Sequence, residues 1–238
     1  MRPKHPRFPR PTLVDPGLMK AAACDYKERI AVVDQTLYEL CRQHPDHQTT
    51  DAVHAKTCLI GRAYATGIER RIESDGRQSS ALSQLNDFLF KHRWQVDSIL
   101  GELEGVLEPL EWANVRLIIA QHGRFTSLLS QLVQRRAVTS FAAKYMHFHN
   151  PAVPIYDRLS SSAARGILPW RDLDSIPAWP ARRDPKYWRF AVRFWKLYQG
   201  LDDKSTGTVR LLDRYLVMWE ERRRAQTAAR KLREIPSD

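Results

Sequence analysis

The amino-acid sequence predicts an all-α fold with one sizeable core, arranged in one or two lobes. Apolar residues recur three and four positions apart along most of the chain, as on one face of an α-helix. No stretch in which β-branched residues recur at every second position is long enough to indicate a sheet. Hydrophobic residues make up 43% of the 238 residues, which is enough to bury a core without disulfides or metal.

The N-terminal segment 1–17 is predicted to be an extended basic arm, because dense proline forbids a helix. It contains Pro3, Pro6, Pro9, Pro11 and Pro16, with Arg2, Lys4, Arg7 and Arg10 between them. Two interpretations remain open: a solvated tail, or an arm that lies along a phosphate backbone. We expect residues 18–238 to form a single helical domain.

The first half of this domain is predicted to contain four helices, at 21–41, 52–72, 82–103 and 107–122, with a break near Trp94. The sequence HisProAspHis at 44–47 ends the first helix, and Thr49, Thr50 and Asp51 supply capping oxygens for the second. The polar segment 74–80 is predicted to be a loop, and Gly123 is predicted to end the fourth helix.

The second half continues with helices predicted at 125–133, 137–149, 157–166, 185–198 and from 208 past Trp219. Asn150 and Pro151 stop the second of these helices, and Asp157 opens the third. Asp184 and Pro185 form a favourable start for the next helix, which Gly200 ends.

The charge balance indicates a polyanionic partner. The chain has 38 Lys and Arg against 27 Asp and Glu, a formal net charge of +11. Nucleic acid is the commonest partner of so basic a protein, although the chain could also be basic without binding any. No apolar run reaches the roughly 18–20 residues of a membrane-spanning helix. The N-terminus lacks the apolar segment of a secretory signal, and three cysteines suit a reducing cytosol, so we expect a cytosolic protein.

The most informative segment is 140–157, SerPheAlaAlaLysTyrMetHisPheHisAsnProAlaValProIleTyrAsp. It predicts a half-buried helix, a proline stop, a short extended bridge and an acidic residue, Asp157, at the start of the next helix. An Asp in that position is commonly only a helix cap, worth about 1 kcal/mol.

This segment resembles the active-site region of the helix-hairpin-helix DNA glycosylase superfamily, in which a proline-containing bridge delivers an essential Asp to the head of a helix. The match to Asp157 implies that it is the catalytic carboxylate. The segment 61–69, GlyArgAlaTyrAlaThrGlyIleGlu, resembles the family's early pocket helix. The resemblance implies pocket and wedge roles for Tyr64, Thr66, Gly67 and Ile68. It also implies a two-lobed helical fold with a central cleft, and extends over residues 20–220 in helix order.

The chain departs from the family pattern in its hairpin. Segment 131–140 lacks the family's glycine turn, so we expect Arg135 and Arg136, with Arg158, to contact phosphate by charge. No Lys precedes the second hairpin helix, which implies a monofunctional glycosylase without strand cleavage through a lysine. Three cysteines cannot form an iron–sulfur quartet, and we expect no cofactor.

Other candidate residues lie near this segment. Tyr64, Tyr145, His147, His149 and Tyr156 could contact a flipped base, but such residues more often belong to the core. Lys144 is either a rim lysine or a pocket residue beside Asp157. The cysteine and histidine spacings match no closed zinc pattern, so we expect no metal; the residues considered are Cys41, His44, His47, His54, Cys58, His147 and His149. The basic run 222–233 is either a solvated helix face or an extension of a DNA footprint.

These observations predict a DNA glycosylase that flips out and hydrolyses a modified or damaged base from double-stranded DNA. The small size and the divergent hairpin resemble a bacterial restriction glycosylase, a type that removes bulky modified bases from phage DNA, which implies the bacterial cytosol. A repair glycosylase for damaged bases is the alternative within the same class. A non-catalytic nucleic-acid-binding helical module is the main alternative, and a helical component that binds protein is a third. The sequence favours a monomer but does not settle the oligomeric state.

Overall fold

The computed structural model describes residues 14–64, 66–72, 80–133, 138–170, 173 and 184–233, apart from the side chains of residue 71 and residues 231–233. These residues contain helices and no strand, so the predicted all-α class is confirmed. The elements are α1 (Pro16–Asp25), a π-helical turn (Tyr26–Ile30), α2 (Ala31–Gln43), α3 (Thr50–Ala63), a 3-10 turn (Glu69–Arg71), α4 (Ala81–Lys91), α5 (Arg93–Gly101), α6 (Trp112–Leu129), α7 (Thr139–His149), α8 (Arg158–Ile167), α9 (Pro185–Gln199) and α10 (Thr208–Arg233).

Helix α1 begins earlier than the sequence predicts. The Asp15 side chain accepts a hydrogen bond of 2.9 Å from the backbone N–H of Leu18, and Pro16 occupies the first helical turn. Proline is favoured there because its missing N–H would have no intrahelical partner. The prediction of an extended arm is therefore wrong at Pro16 and Gly17, and residues 1–13 of that arm lie outside the described residues.

Helix α3 ends at Ala63, so the prediction that it runs to residue 72 is wrong. The chain leaves the helix at Tyr64, whose ψ of 14° is not helical, and the left-handed Gly67, with φ of +66°, prevents the helix from continuing to residue 72. Thr66 closes the helix, since its backbone N–H and its hydroxyl both donate to the carbonyl oxygen of Gly61.

Helix α6 is continuous through Gly123, contrary to the predicted stop there. Its buried face outweighs the roughly 1 kcal/mol that an interior glycine costs. That face includes Val115, Ile118, Ile119, Phe125, Leu128 and Leu129. The predicted break near Trp94 is confirmed, because α4 and α5 meet at His92.

Helix α7 occupies the centre of the fold, where α2, α3, α6 and α9 pack around it. Almost all of its side chains are buried, including Phe141, Tyr145 and Phe148. The bridge to α8 is anchored by the Asn150 side-chain amide, which donates to the carbonyl oxygens of Leu103 and Val106. Helix α8 then packs on α10. A rigid core therefore fixes the segment that carries Asp157.

Among the helices that the structure describes, none combines the length and the apolar composition that crossing a bilayer requires.

Candidate functional site

A cavity of about 840 Å³ lies where the end of α3, the buried face of α7 and the start of α8 meet. It brings together seven of the residues predicted from the sequence. These are Tyr64, Thr66, Ile68, Lys144, Tyr156, Asp157 and Arg158. The segments 61–69 and 140–157, which are distant in sequence, therefore line one wall.

Asp157 is both a helix cap and a residue of the cavity wall. Its Oδ1 accepts hydrogen bonds from the Ser160 backbone N–H at 2.7 Å and from the Ser160 hydroxyl at 3.2 Å. The Ser160 hydroxyl is also 3.2 Å from the Asp157 backbone nitrogen, which completes a capping box. Within the described part of the chain, Oδ2 of Asp157 has no hydrogen-bond partner. The cap thus holds the carboxylate in place with one oxygen and leaves the other available to a ligand.

Exposed basic side chains line the same cavity as this carboxylate. Arg70, Arg158, Arg165 and Lys186 are exposed and line the cavity. Asp157 is the only acidic side chain that the described residues contribute to the lining. The resulting positive potential attracts an anionic ligand to a site with a single negative charge at its wall.

Lys144 is a buried residue of this wall, with 5% of its surface exposed. Its Nζ donates a 2.9 Å hydrogen bond to the carbonyl oxygen of Tyr64 at the end of α3. Burial lowers the pKa of Lys144, and the negative charges of Asp157 and Asp213 oppose that shift. Lys144 is therefore not a lysine that extends to the solvent, and two of its ammonium protons remain available to a ligand.

A buried ionic network supports the same wall from behind. Arg210 of α10 donates to Asp34 of α2 (Nε to Oδ2, 2.5 Å) and to Asp213 (Nη1 to Oδ2, 2.6 Å). The Tyr64 hydroxyl donates to Asp34. Tyr64 thus contacts the network with its hydroxyl, and its backbone carbonyl oxygen accepts the hydrogen bond from Lys144. These polar contacts hold α2, α3, α7 and α10 together.

A second cavity, of about 390 Å³, adjoins this network. It shares Tyr64, Lys144 and Asp157 with the first cavity and is also lined by Arg210 and Asp213. Burial raises the pKa of Asp213 to about 7, against the opposing charge of Arg210. The two cavities therefore share three lining side chains, which include the amine of Lys144 and the carboxyl group of Asp157.

Sequence reasoning missed Asp34, Arg210 and Asp213. The sequence feature that could have identified them is a charged residue on an otherwise apolar helix face. Asp34 lies one helical turn before the buried Leu37, and Arg210 and Asp213 alternate with buried Val209 and Leu212. Charges in such positions are retained only when they are paired or functional.

Three predicted base contacts, Tyr145, His147 and His149, do not line either cavity. Tyr145 is fully buried, with its hydroxyl 2.6 Å from Nε2 of His47. The His147 ring nitrogens contact the Tyr38 hydroxyl at 2.5 Å and the Val153 carbonyl oxygen at 2.7 Å. His149 stacks on His47. Tyr145 and His147 lie in the core, and His149 lines a different cavity beside Phe148. None of the three faces the wall that carries Asp157, and their contact with a base remains a prediction.

The proposed wedge residues have different surroundings. Ile68 lines the cavity but is only 1% exposed. Gly67 lies beside the Arg70 guanidinium, which a Cβ at Gly67 would approach to 3.1 Å. A wedge role for either residue would require this turn to open on binding, and it remains a prediction.

Among the predicted phosphate contacts, Arg158 is exposed at the cavity, whereas Arg135 and Arg136 lie outside the described residues. The C-terminal part of α10 is exposed from residue 221 to residue 230. Arg223 and Arg224 both pair with buried Glu220 at 2.8 Å. Part of the charge of the basic run is thus compensated within the helix.

The cysteine and histidine cluster has structural partners. His47 lies 2.6 Å from an Asp97 carboxylate oxygen, and His54 contacts the Asn86 side chain. Cys41 is buried and Cys58 half-buried. Within the described ranges, no three His, Cys, Asp or Glu side chains are grouped closely enough to hold a metal ion.

The arrangement can attract a polyanion to a concave surface and present it with a fixed carboxylate oxygen and a buried ammonium. No protein-family model, characterised protein or solved structure matches the chain.

Proposed function

We propose that the chain is a monofunctional DNA glycosylase, which takes a modified or damaged base out of double-stranded DNA and hydrolyses its N-glycosidic bond. The resemblance of residues 61–69 and 140–157 to helix-hairpin-helix glycosylases supports the class of reaction. The observation that carries the proposal is Oδ2 of Asp157, which has no partner among the described residues and lies on the wall of a cavity whose other charged lining residues, where the structure describes them, are basic.

The basic lining suits the DNA backbone. Phosphates beside the flipped nucleotide would contact Arg158, Arg165 and Lys186, which lie at the start and end of α8 and the start of α9. A base inside a duplex is out of reach of any side chain, so it must rotate into a cavity before reaction. The 840 Å³ cavity and the adjoining 390 Å³ cavity are both within the range of about 300–1,000 Å³ that is typical of ligand sites, so a base at Asp157 could enter either of them.

Asp157 would perform the chemical step. Departure of the base places positive charge on the sugar, as in the oxocarbenium-like transition state of glycosidases. A carboxylate fixed near C1′ stabilises that charge and can take a proton from the attacking water. The capping box restricts the Asp157 rotamer, so little reorganisation would be needed during reaction.

The test is mass spectrometry of bases released from a panel of duplexes, each with one modified or damaged base. We expect one class of base to be released and abasic sites to remain. Asp157→Asn should reduce single-turnover release about 100-fold or more and leave the DNA dissociation constant unchanged. Equal release by the wild type and this variant would contradict the catalytic assignment.

A matched control is Asp15→Asn. Asp15 caps α1 as Asp157 caps α8, but it lines neither cavity. It should therefore release bases at the wild-type rate. Loss of release in this control would assign the effect to fold stability.

The alternative is a non-catalytic nucleic-acid-binding module, and the capping box favours it because capping alone would explain an Asp at position 157. Such a module predicts salt-dependent DNA affinity with no base released from any duplex. Restriction and repair are distinguished within the panel: release confined to bulky modified bases of phage DNA supports restriction, and release confined to damaged bases supports repair.

A further inference from the structure

Asp213 is a buried carboxyl group with one unused oxygen. It is 3% exposed, and its Oδ2 accepts the 2.6 Å hydrogen bond from Arg210. Its Oδ1 is buried and has no hydrogen-bond partner within the described part of the chain. Buried polar atoms without partners are rare, because each costs about 1–3 kcal/mol. An unused carboxyl oxygen in a cavity wall therefore points to a ligand.

The charged groups around Asp213 come from α2, α7, α8 and α10, while Arg29 and Arg214, which line the same cavity, both pair with Asp25. They do not supply a full positive counter-charge, because Arg210 is shared with Asp34 and Lys144 does not lie within ion-pair distance of Asp213 in the described structure. The titratable groups facing it are Arg210 of α10, Asp34 and Tyr38 of α2, Lys144 of α7 and Asp157 at the start of α8. Burial and the two nearby carboxylates hold its pKa at about 7. A protonated Asp213 would have an O–H group without an acceptor among the residues that the structure describes.

We propose that Asp213 is a second catalytic residue, the general acid that protonates the departing base, with the base in the second cavity and the sugar at Asp157. This inference rests on the proposed glycosylase function and deepens it. Asp157 lies on the wall that both cavities share, which is where the bond between sugar and base would have to lie.

The proton balance of the reaction assigns a separate role to each carboxyl group. The C1′–N bond breaks with both electrons passing to the base, and the Asp213 proton passes to the base nitrogen or to an exocyclic oxygen. Water adds its oxygen to C1′ and gives a proton to Asp157, which returns it to solvent, and Asp213 takes a proton back from solvent. Two carboxyl groups with different pKa values divide acid and base work in the same way in glycosidases.

The proposal predicts which bases need Asp213. A neutral base such as hypoxanthine is a poor leaving group until it is protonated. N7-methylguanine already has a positive charge and departs as a neutral base without an added proton. Asp213 should therefore matter for the first base and not for the second, whereas Asp157 should matter for both because the charge on the sugar is common to them.

The experiment is single-turnover release of hypoxanthine and of N7-methylguanine from otherwise identical duplexes by the full chain. Asp213→Asn should slow hypoxanthine release about 100-fold and change N7-methylguanine release less than threefold. Asp157→Asn should slow both. If hypoxanthine is not a substrate, another neutral base that the wild type releases from the panel takes its place. Release of charged bases alone, with no neutral base released, would overturn the role of Asp213. Equal loss with both bases, or no loss with hypoxanthine, would overturn the role of Asp213 and leave the proposed function intact.

The wild-type pH profile is a second readout, which remains available if Asp213→Asn does not fold. Hypoxanthine release should fall tenfold per pH unit above about pH 7, and N7-methylguanine release should not fall. A flat profile for hypoxanthine would overturn the proposal. No release of any base from the whole panel by the wild type would overturn the proposed function, and the role of Asp213 with it.

Discussion

The contact between Asp157 and Ser160 gives the two oxygens of the Asp157 carboxylate different roles. Its Oδ1 accepts the Ser160 backbone N–H at 2.7 Å, and its Oδ2 remains available at the wall of the cavity. The residue that begins α8 is therefore held in place by the first turn of that helix. Substitutions at Asp157 can therefore separate the effect of the charge from the effect of the cap.

Replacement of Asp157 should change stability according to capping and activity according to charge. Asn caps helices about as well as Asp, so Asp157→Asn should leave the free energy of unfolding within about 0.5 kcal/mol of wild type. Asp157→Ala removes the cap and should cost about 1 kcal/mol. Denaturant unfolding of both variants measures this, and base release should be lost in both. A loss of stability in Asp157→Asn as large as that in Asp157→Ala would show that the charge, and not only the cap, supports the fold.

The cations at the cavity should set the salt dependence of DNA binding. Arg165→Ala and Lys186→Ala should each weaken affinity for any duplex and reduce the slope of log affinity against log salt by about 0.9. Arg42→Ala is the matched control, because Arg42 is exposed but pairs with Glu39 and does not line this cavity. Fluorescence anisotropy over a salt series measures the slopes. An unchanged slope in both cavity variants would place the DNA backbone elsewhere on the protein.

The packing of α8 on α10 should be sensitive to one methyl group. A Cβ at Gly166 would lie 2.7 Å from the Trp219 ring, so either the ring or the helix must move. Gly166→Ala should destabilise the protein by about 1–3 kcal/mol. Gly101→Ala is the control in another helix end, where a Cβ meets nothing within 4 Å, and it should be neutral or stabilising. Equal unfolding midpoints for the two variants would contradict this account of the α8–α10 contact.

Asp213 should make the fold less stable as pH rises. Its pKa is about 7 in the folded chain against 3.8 ordinarily, so the folded state binds the proton more tightly between those values. Stability contributed by this proton is complete below about pH 4 and is lost as pH rises to about 7, at no more than about 1.4 kcal/mol per pH unit. Asp213→Asn removes this term. As pH rises from about 4 to about 7, the variant should gain stability relative to wild type. A difference in unfolding free energy that stays constant over this range would contradict the raised pKa.

His122 should have the opposite effect. Burial lowers its pKa from 6.5 to about 4, so the unfolded chain binds the proton more tightly and stability falls as pH decreases from about 6.5 to about 4. The His122 ring stacks on Tyr187 with centroids 3.7 Å apart. His122→Phe can retain that stacking without a proton, and its stability should fall less on acidification than that of wild type. Exposed His44→Asn is the control and should follow the wild type. Parallel curves for His122→Phe and wild type would show that His122 titrates normally.

Local sequence signals were sufficient for much of the secondary structure and for one feature of the site. Capping residues and prolines placed the starts of α8 and α9 correctly, because those signals act within one helical turn. The motif around Asp157 identified the residue that the structure places at a cavity. Tyr64 and Lys144 came from separate motifs, and the sequence contained no information that they touch.

Tertiary structure decided what local signals leave open. Gly67 lies in a left-handed turn beyond the end of α3, whereas Gly123 lies inside α6, because the buried face of α6 offsets the cost of its glycine. Asp34, Arg210 and Asp213 are 176 or more residues apart between α2 and α10, or three apart within α10, and only the packing of those helices pairs them. The sequence by itself thus determined the helical class, the basic charge and Asp157 as a helix-initiating acid. Only the folded chain determined which face of α7 meets the cavity, because that choice depends on the burial of all the helices around it.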